Sequence, residues 1–287
     1  MKNLLKIHRS SGMHWVGDGF AVRSVFDYNG LGQHLSPFLL LDYGAPREFT
    51  PTKGRRGVGS HPHRGFETVT IAYQGEVSHR DSSGGGGTIK PGDVQWMTAA
   101  GGIVHEEFHS EEFSRKGGVM QMAQLWVNLP ARDKMSRPRY QPLTKENIPV
   151  ANLPEGAGTV RVIAGSFGEN VKGPALTFTP INLWDVNLRA GKSAELPFPD
   201  GHTSTFLVLK GEIETGGKTA SEGDLVIFER AGSDAIVAAK SDAHLLVMDG
   251  KPIDEPIVGH GPFVMNTVDE IEQAFMDFHA GKMGVIK

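Results

Sequence analysis

The sequence predicts an all-β protein, and three observations support that prediction. Glycine is unusually frequent, with 37 residues in a chain of 287, and 17 prolines accompany it. These residues separate short apolar runs, a pattern that is typical of chains with many strands and tight turns. Only one segment, close to the C-terminus, has a convincing helical pattern.

The predicted strands come from polar and apolar alternation or from short apolar runs bounded by turns. Four consecutive glycines at 84–87 predict the tip of a hairpin between two such strands. No helical pattern follows them, so they do not indicate a phosphate-binding loop. The strands are predicted at 68–73, 94–97, 121–129, 183–188, 205–209 and 225–228.

A repeated β unit predicts two domains of the same kind. Gly75-Glu76-Val77 and Gly92-Asp93-Val94 recur about 130 residues later as Gly211-Glu212-Ile213 and Gly223-Asp224-Leu225. Residues 130–154 contain five prolines and little periodicity, which suits a domain junction. We place the boundary near Arg139, giving domains 1–138 and 139–287.

The C-terminal segment predicts a helix at about 267–280. Thr267 and Glu270 have the spacing of a capping box, and Gly281 would end the helix. The apolar residues between them follow helical spacing: Ile271, Ala274, Phe275 and Phe278.

Composition excludes several classes of function. A net charge of -4 without a block of like charge gives no electrostatic case for nucleic acid or an anionic membrane. The chain has no cysteine, so any metal must be bound by His, Asp or Glu. No apolar run approaches the ~20 residues of a membrane span, and the N-terminus lacks a signal-peptide pattern. We expect a soluble cytoplasmic protein.

Two pairs of polar residues predict a metal site. His61 and His63 are two residues apart, so on a strand both imidazoles point to the same side. The second pair lies in the segment His105-Glu106-Glu107-Phe108-His109, which has two interpretations. A helix would give the H-E-x-x-H zinc motif of metalloproteases, with Glu106 as general base.

The strand interpretation of residues 103–109 is favoured, because a helix here would have no cap and a poor apolar stripe. A strand places His105 and Glu107 on one face and turns Glu106 away. Two such pairs on neighbouring strands form a site of three histidines and one carboxylate, which suits iron, zinc, copper or nickel. His109 shares that face and is predicted to be a polar residue at the rim, with a role as a further ligand as the alternative.

Four segments resemble the pirin family: HPHRGFETV, GDVQWMTAAGGIVHEE, QLWVNLP and GPFVMNTVDEI. They extend from residue 61 to about 271, which is most of the chain. The resemblance implies a bicupin, two tandem cupin β-sandwich or jelly-roll barrels. It also implies that His61, His63, His105 and Glu107 bind one metal in the N-terminal barrel.

Many cupins take their carboxylate from the first motif, where Glu67 has the right parity and spacing. We expect Glu67 to lie behind the ligands instead, in contact with Arg64 or a ligand histidine.

The C-terminal copy lacks the site and is predicted to be a structural domain. Counting by the spacing of the first copy places Pro197, Pro199, Ile236 and Ala238 at the four ligand positions.

The resemblance implies a metal-dependent dioxygenase of the quercetin 2,3-dioxygenase type. A flavonol or similar small molecule would bind the metal, and Glu107 would accept its hydroxyl proton before dioxygen opens the heterocycle. The expected metal is Fe(II), with nickel, copper, manganese or zinc as alternatives, and no organic cofactor is needed. An alternative is a redox-sensing regulatory module that acts through protein partners, as pirins are also associated with transcriptional co-regulation. A monomer is the simpler expectation.

Overall fold

The computed structural model describes residues 1–286 and confirms the all-β prediction. Each predicted strand of the N-terminal half overlaps an observed one. The strands before residue 145 are β1 (Leu4–Arg9), β2 (His14–Val16), β3 (Phe20–Phe26), β4 (Phe38–Phe49), β5 (Gly57–His63), β6 (Phe66–Gln74), β7 (Val77–Asp81), β8 (Gly86–Ile89), β9 (Val94–Thr98), β10 (Ile103–His109), β11 (Gly118–Asn128) and β12 (Arg139–Leu143).

The C-terminal half continues the same pattern and again contains the predicted strands. Its strands are β13 (Val150–Asn152), β14 (Gly158–Ala164), β15 (Ser166–Phe167), β16 (Val171–Lys172), β17 (Ile181–Leu188), β18 (Ser193–Leu196), β19 (Thr203–Lys210), β20 (Glu212–Thr215), β21 (Lys218–Ser221), β22 (Asp224–Phe228), β23 (Ala235–Ala239), β24 (Ala243–Gly250), β25 (Val258–His260) and β26 (Phe263–Met265).

Helices are few within residues 1–286. The short α1 (Glu111–Lys116) is capped by Ser110, whose side chain accepts from the backbone N–H of Phe113. The C-terminal α2 (Val268–His279) has the predicted capping box between Thr267 and Glu270. No helix in the described part of the chain is long and apolar enough to cross a membrane. Single 3₁₀ turns occur at Leu31–Gln33, Ala131–Asp133, Lys145–Asn147 and Pro154–Gly156.

Backbone contacts divide the chain into two units, and each contains a segment from the far end of the chain. The first unit comprises Ser11–Lys145 and the segment from Ile253 onward, and the second comprises Met1–Ser10 and Glu146–Pro252. A single boundary near Arg139 does not describe these units, because each is made of two separate segments of the chain. The physical reason is strand pairing: β1 pairs antiparallel with β22, and α2 contacts β25 and β26.

Both units have the same strand order, in agreement with the repeat. In the first unit a seven-stranded sheet has the order β12-β9-β6-β11-β4-β3-β2, and a four-stranded sheet has the order β5-β10-β7-β8. In the second unit the corresponding orders are β1-β22-β19-β24-β17-β14-β13 and β18-β23-β20-β21. Buried side chains from both sheets share one core in the second unit, which makes it a β-sandwich.

Candidate metal centre

The centre lies on two antiparallel strands of the four-stranded sheet in the first unit. β10 pairs with β5, so that His105 is opposite His61 and Ile103 is opposite His63. The predicted strand at 103–109 is therefore confirmed, and the helical metalloprotease interpretation is wrong. His61 and His63 end β5 itself rather than beginning β6, because a turn at Arg64 and Gly65 separates the two strands.

Side chains alternate between the two faces of β10, so its two adjacent glutamates lie on opposite faces. Glu107 is buried and points inward, whereas Glu106 forms ion pairs with Arg80 and Arg55, the latter at 3.1 Å. Desolvation by burial raises the pKa of Glu106, but the hydrogen bonds and charges of these two guanidinium groups together lower it below its usual value, so Glu106 remains ionised. The alternation of a β-strand thus assigns the two carboxylates to different environments.

Three histidine side chains converge at one point. The ring centroids of His61 and His105 are 4.3 Å apart, those of His63 and His105 are 4.9 Å apart, and those of His61 and His63 are 5.0 Å apart. Each residue offers a ring nitrogen, and these three nitrogens lie within 4.8 Å of one another. The three predicted histidine ligands are therefore together and form a candidate metal-binding group.

The hydrogen bonds of these rings fit a metal on their Nε2 atoms. His61 Nδ1 lies 2.8 Å from the carbonyl oxygen of Gly59, and His63 Nδ1 lies 3.3 Å from that of Pro262. A carbonyl only accepts, so both Nδ1 atoms donate and both Nε2 atoms keep a free lone pair. Within residues 1–286, the buried Nε2 of His105 has no hydrogen-bond partner. An ion would satisfy that orphaned atom.

Burial keeps two of these histidines neutral, which is the form that binds metal. Desolvation lowers the pKa of His63 and of His105 well below the usual range, and the neighbouring histidines lower both further.

Glu107 lies beside His105 and is held by three donors. Thr70 Oγ1 and Gln95 Nε2 donate to Oε1 at 3.3 and 3.2 Å, and Gln124 Nε2 donates to Oε2 at 3.0 Å. Glu107 forms a second set within 4.8 Å, together with His79 and His105, rather than joining the set of three histidines. Its part in the metal shell therefore stays a prediction.

A cavity of about 380 Å³ lies against the centre. This is within the range of pockets that hold small organic ligands, about 300–1,000 Å³. Most of its walls are apolar, and its polar residues are two of the histidines, Glu107, Gln124 and Asp42. The apolar lining residues are Val16, Phe20, Val22, Val58, Met122 and Trp126.

Two cavity residues have defined orientations. The Trp126 ring stacks on Phe66 with centroids 4.2 Å apart, and Trp126 Nε1 donates to Gln124 Oε1 at 3.3 Å. Desolvation raises the pKa of Asp42, while Ser24 Oγ donates to Asp42 Oδ1 at 2.5 Å and opposes the shift. Asn128, two residues further along β11, does not line the cavity and accepts from Lys134 Nζ at 2.6 Å.

The C-terminal segment of the first unit supports the loop after His63. Arg64 Nη1 donates to Asp277 Oδ2 on α2 at 2.9 Å, and the Val264 N–H donates to the Arg64 carbonyl at 3.1 Å. Lys134 Nζ joins the same elements by donating to the carbonyls of Gly65 and Val264 at 2.8 and 3.0 Å. A segment more than 180 residues away in sequence thus fixes the backbone beside a candidate ligand.

Two residues of the sequence analysis lie apart from the centre. Glu67 accepts from Thr98 Oγ1 at 2.7 Å and lies 3.9 Å from Arg139 Nη2, so the expected contact with Arg64 is wrong, because Arg64 is engaged by Asp277. His109 is buried rather than at a rim. Its Nε2 donates to the Gly19 carbonyl at 2.8 Å, and its ring packs against Phe20, Phe49 and Phe113.

His79 and Asp81 on β7 also lie beside the centre and were not predicted from the sequence. Both side chains are fully buried, and His79 Nε2 lies 3.1 Å from Asp81 Oδ2. Their spacing of two residues, directly after the repeated Gly75-Glu76-Val77, was the available signal.

Comparison with known proteins covers nearly the whole chain. The family model Pirin matches residues 19–127, and the model Pirin C-terminal cupin domain matches residues 183–284. A Pseudomonas aeruginosa protein named "Putative quercetin 2,3-dioxygenase" is 56% identical over 282 residues, covering 98% of each chain. A Solanum lycopersicum protein named "Pirin-like protein" is 39% identical over 273 residues, covering 93% of this chain and 88% of that one.

A crystal structure is similar over the full length. Quercetin 2,3-dioxygenase from Acinetobacter baumannii superposes with a TM-score of 0.96 at 52% identity, covering 100% of both chains. The fold and the two-domain architecture are therefore shared with that protein.

Proposed function

This chain belongs to the pirin family of cupin proteins, and on that premise we propose that it is a metal-dependent dioxygenase acting on flavonols. The observation that carries the proposal is the convergence of three histidines beside a mostly apolar cavity that two of them line. The names of the Pseudomonas and Acinetobacter relatives supply the substrate class.

His61, His63 and His105 would hold the ion through Nε2, and Glu107 is the proposed fourth ligand. Fe(II) is the proposed metal, since imidazole with one carboxylate suits it, and nickel, copper, manganese and zinc are alternatives. When bound, the ion supplies Lewis-acid activation of the substrate and an open position for dioxygen.

The residues of the cavity would bind and orient the flavonol. Trp126 and Phe20 provide flat apolar surfaces for its rings, and the partly buried Asp42 is an acceptor for a ring hydroxyl. Glu107 would accept the proton of the hydroxyl that approaches the metal. Gln124 donates to Glu107 Oε2 and lines the same cavity, so it would orient the carboxylate during this transfer.

The test compares the two adjacent glutamates of β10. Protein purified without oxygen is analysed for metal, and the loss of quercetin absorbance is then followed after air is admitted. Glu107→Gln and His61→Ala should abolish turnover. Glu106→Gln is the matched control and should retain it, because Glu106 pairs with Arg80 on the outer face.

Three results would contradict the proposal. Loss of turnover in Glu106→Gln with retention in Glu107→Gln would reverse the assigned roles. Bound metal without turnover in the wild-type protein would favour the regulatory module that acts through protein partners. Wild-type protein that takes up no metal after reconstitution would refute the centre.

A further inference from the structure

A buried polar pair behind His105 has no part in the proposed reaction. His79 and Asp81 lie on β7, which pairs with β10 so that Asp81 is opposite His105 and His79 is opposite Glu107. Both side chains are completely excluded from solvent. Buried polar groups are costly unless they are bonded, so the partners of this pair indicate what it does.

Gln95 determines which nitrogen of His79 carries the proton. Gln95 Nε2 lies 3.2 Å from Glu107 Oε1 and 3.2 Å from His79 Nδ1. The contact with a carboxylate oxygen identifies this atom as the amide nitrogen, which only donates. His79 Nδ1 must therefore accept, and the proton of the neutral ring is on Nε2, which donates to Asp81 Oδ2 at 3.1 Å.

The same nitrogen determines the tautomer of His105. His105 Nδ1 lies 3.3 Å from His79 Nδ1. Since His79 Nδ1 is the acceptor, His105 Nδ1 carries the proton. The lone pair of His105 is then on Nε2, the atom without a hydrogen-bond partner among residues 1–286.

We propose that Asp81, His79 and Gln95 are positioning residues that hold His105 in the tautomer whose Nε2 can bind the metal. The tautomer of a ligand histidine is set by the bond that its other nitrogen makes, and here that bond is made by a second histidine backed by a carboxylate. This inference rests on the proposed metal centre but is independent of the dioxygenase reaction.

Asp81 allows a sharp test because its two oxygens have different partners. Oδ1 accepts from Ser83 N–H at 2.8 Å, from Ser83 Oγ at 2.6 Å and from Gly85 N–H at 3.0 Å. In Asp81→Asn, these three donors keep the amide oxygen at the Oδ1 position. The amide nitrogen must then face His79 Nε2 as a donor.

The substitution therefore reverses the chain of hydrogen bonds. His79 Nε2 becomes an acceptor, and the proton of His79 moves to Nδ1, where it meets His105 Nδ1. Gln95 Nε2, which only donates, then loses its contact with His79 Nδ1 and keeps its bond to Glu107 Oε1. His105 Nδ1 must accept in turn, so the His105 proton moves to Nε2, at the position that the metal would occupy. Binding a metal then requires this arrangement to be broken.

The experiment uses full-length, metal-free protein with nitrogen-15 in its histidine rings. Nuclear magnetic resonance should show the His105 proton on Nδ1 in the wild-type protein and on Nε2 in Asp81→Asn. Competition of Ni(II) against a chelator should show affinity weakened by ~10–100-fold, as for other residues that orient metal ligands.

Asp93→Asn is the matched control. Asp93 also accepts backbone N–H groups at a turn, from Lys90 at 2.9 Å and Lys145 at 2.8 Å. It should leave both the His105 tautomer and the Ni(II) affinity unchanged.

Two results would overturn the proposal. One is a His105 proton that remains on Nδ1 in Asp81→Asn, with affinity lowered by less than about tenfold. The other is an equal loss of affinity in Asp93→Asn, which would indicate a general structural effect.

A second variant keeps the test open if Asp81→Asn does not fold. His79→Phe can still stack on Tyr140, whose ring lies 5.1 Å from that of His79, but it removes the acceptor for His105. It should populate both tautomers of His105 and weaken Ni(II) binding, and a single unchanged tautomer would refute the proposal. A wild-type protein that binds metal and shows the expected tautomer without dioxygenase activity would defeat only the proposed function.

Discussion

The two units share a strand order but differ in the residues that occupy the positions of the candidate metal centre. Their registers can be matched residue by residue, because Val77 is opposite His109 in the first unit as Ile213 is opposite Ala239 in the second. The ladder then matches His61, His105 and Glu107 with Leu196, Ala235 and Val237, and Phe198, two residues after Leu196, takes the place of His63.

The residues that hold Glu107 are replaced in the same way. Thr70, Gln95 and Gln124 form one row across the seven-stranded sheet, and the corresponding row of the second unit is Phe206, Val226 and Val247. All three of these apolar residues are fully buried in the core of the second unit.

The difference shows that this strand order does not require a polar interior. Burying polar groups costs free energy that well-packed apolar groups do not cost. The polar cluster of the first unit is thus a feature of its site rather than of its fold, and substitutions that copy the second unit should separate the two.

The largest effect is expected from replacing His105 with alanine, the residue that Ala235 provides at the matching position of the second unit. His105→Ala should lower metal affinity by more than ~100-fold, because even residues that only orient ligands change affinity by 10–100-fold. Elemental analysis and chelator competition measure this loss.

His109→Ala is its matched control, since it copies Ala239 on the same face of the same strand. It removes the hydrogen bond to Gly19 and should lower stability by roughly 1–3 kcal/mol while metal is retained. Equal loss of metal in both variants would contradict the assignment of His105.

The next largest effect is expected from the row of polar residues that donates to Glu107. Glu107→Val leaves the donors of Gln95, Gln124 and Thr70 without their acceptor, and should destabilise metal-free protein by on the order of 3–5 kcal/mol in urea denaturation. Adding Gln95→Val and Gln124→Val copies the second unit and should recover more than half of that loss. A triple variant less stable than the single one would show that the apolar set does not fit the first unit.

Glu67, whose counterpart in the second unit is Thr203, is expected to make the free energy of unfolding depend on pH by about 3 kcal/mol. Desolvation raises the pKa of Glu67 from 4.5 to about 7. Between these values the folded protein holds a proton that the unfolded chain releases, so stability should fall as pH rises through this window.

Denaturation measured at several pH values should show that Glu67→Gln removes this slope of stability against pH. Glu106→Gln should leave the slope in place, because the pKa of Glu106 is lowered and its contribution changes only at more acidic pH. Parallel curves for wild-type and Glu67→Gln protein would count against a buried, protonated Glu67.

The smallest effect concerns α2, which belongs to the first unit. Thr267→Ala removes the cap that accepts from the Glu270 N–H and should lower stability by about 1 kcal/mol without changing metal content. Val268→Ala, at the adjacent exposed position, should have no such effect on the thermal midpoint. An unchanged midpoint in Thr267→Ala would mean that the capping box contributes little here.

The sequence by itself determined the local features of this protein. The alternation of polar and apolar residues identified β6, β10 and β11. It also placed His105 and Glu107 on the inner face of β10 and Glu106 on the opposite face, where Glu106 pairs with Arg80 and Arg55. The capping box identified α2, and the repeat identified two units of one kind. Each of these signals lies within a few consecutive residues, where strand or helix geometry alone decides which side chains share a face.

The tertiary structure decided which strands are neighbours and in which register. Counting by sequence put Pro197, Pro199, Ile236 and Ala238 at the ligand positions of the second unit, and each is one residue beyond the position that pairing assigns. A slip of one residue exchanges the two faces of a strand, so only the observed hydrogen-bond ladders could correct it.

The same reason explains His79, which reaches His105 only because β7 pairs with β10. It also explains the return of the C-terminal segment to Arg64. These contacts join residues far apart along the chain, and no local pattern specifies them.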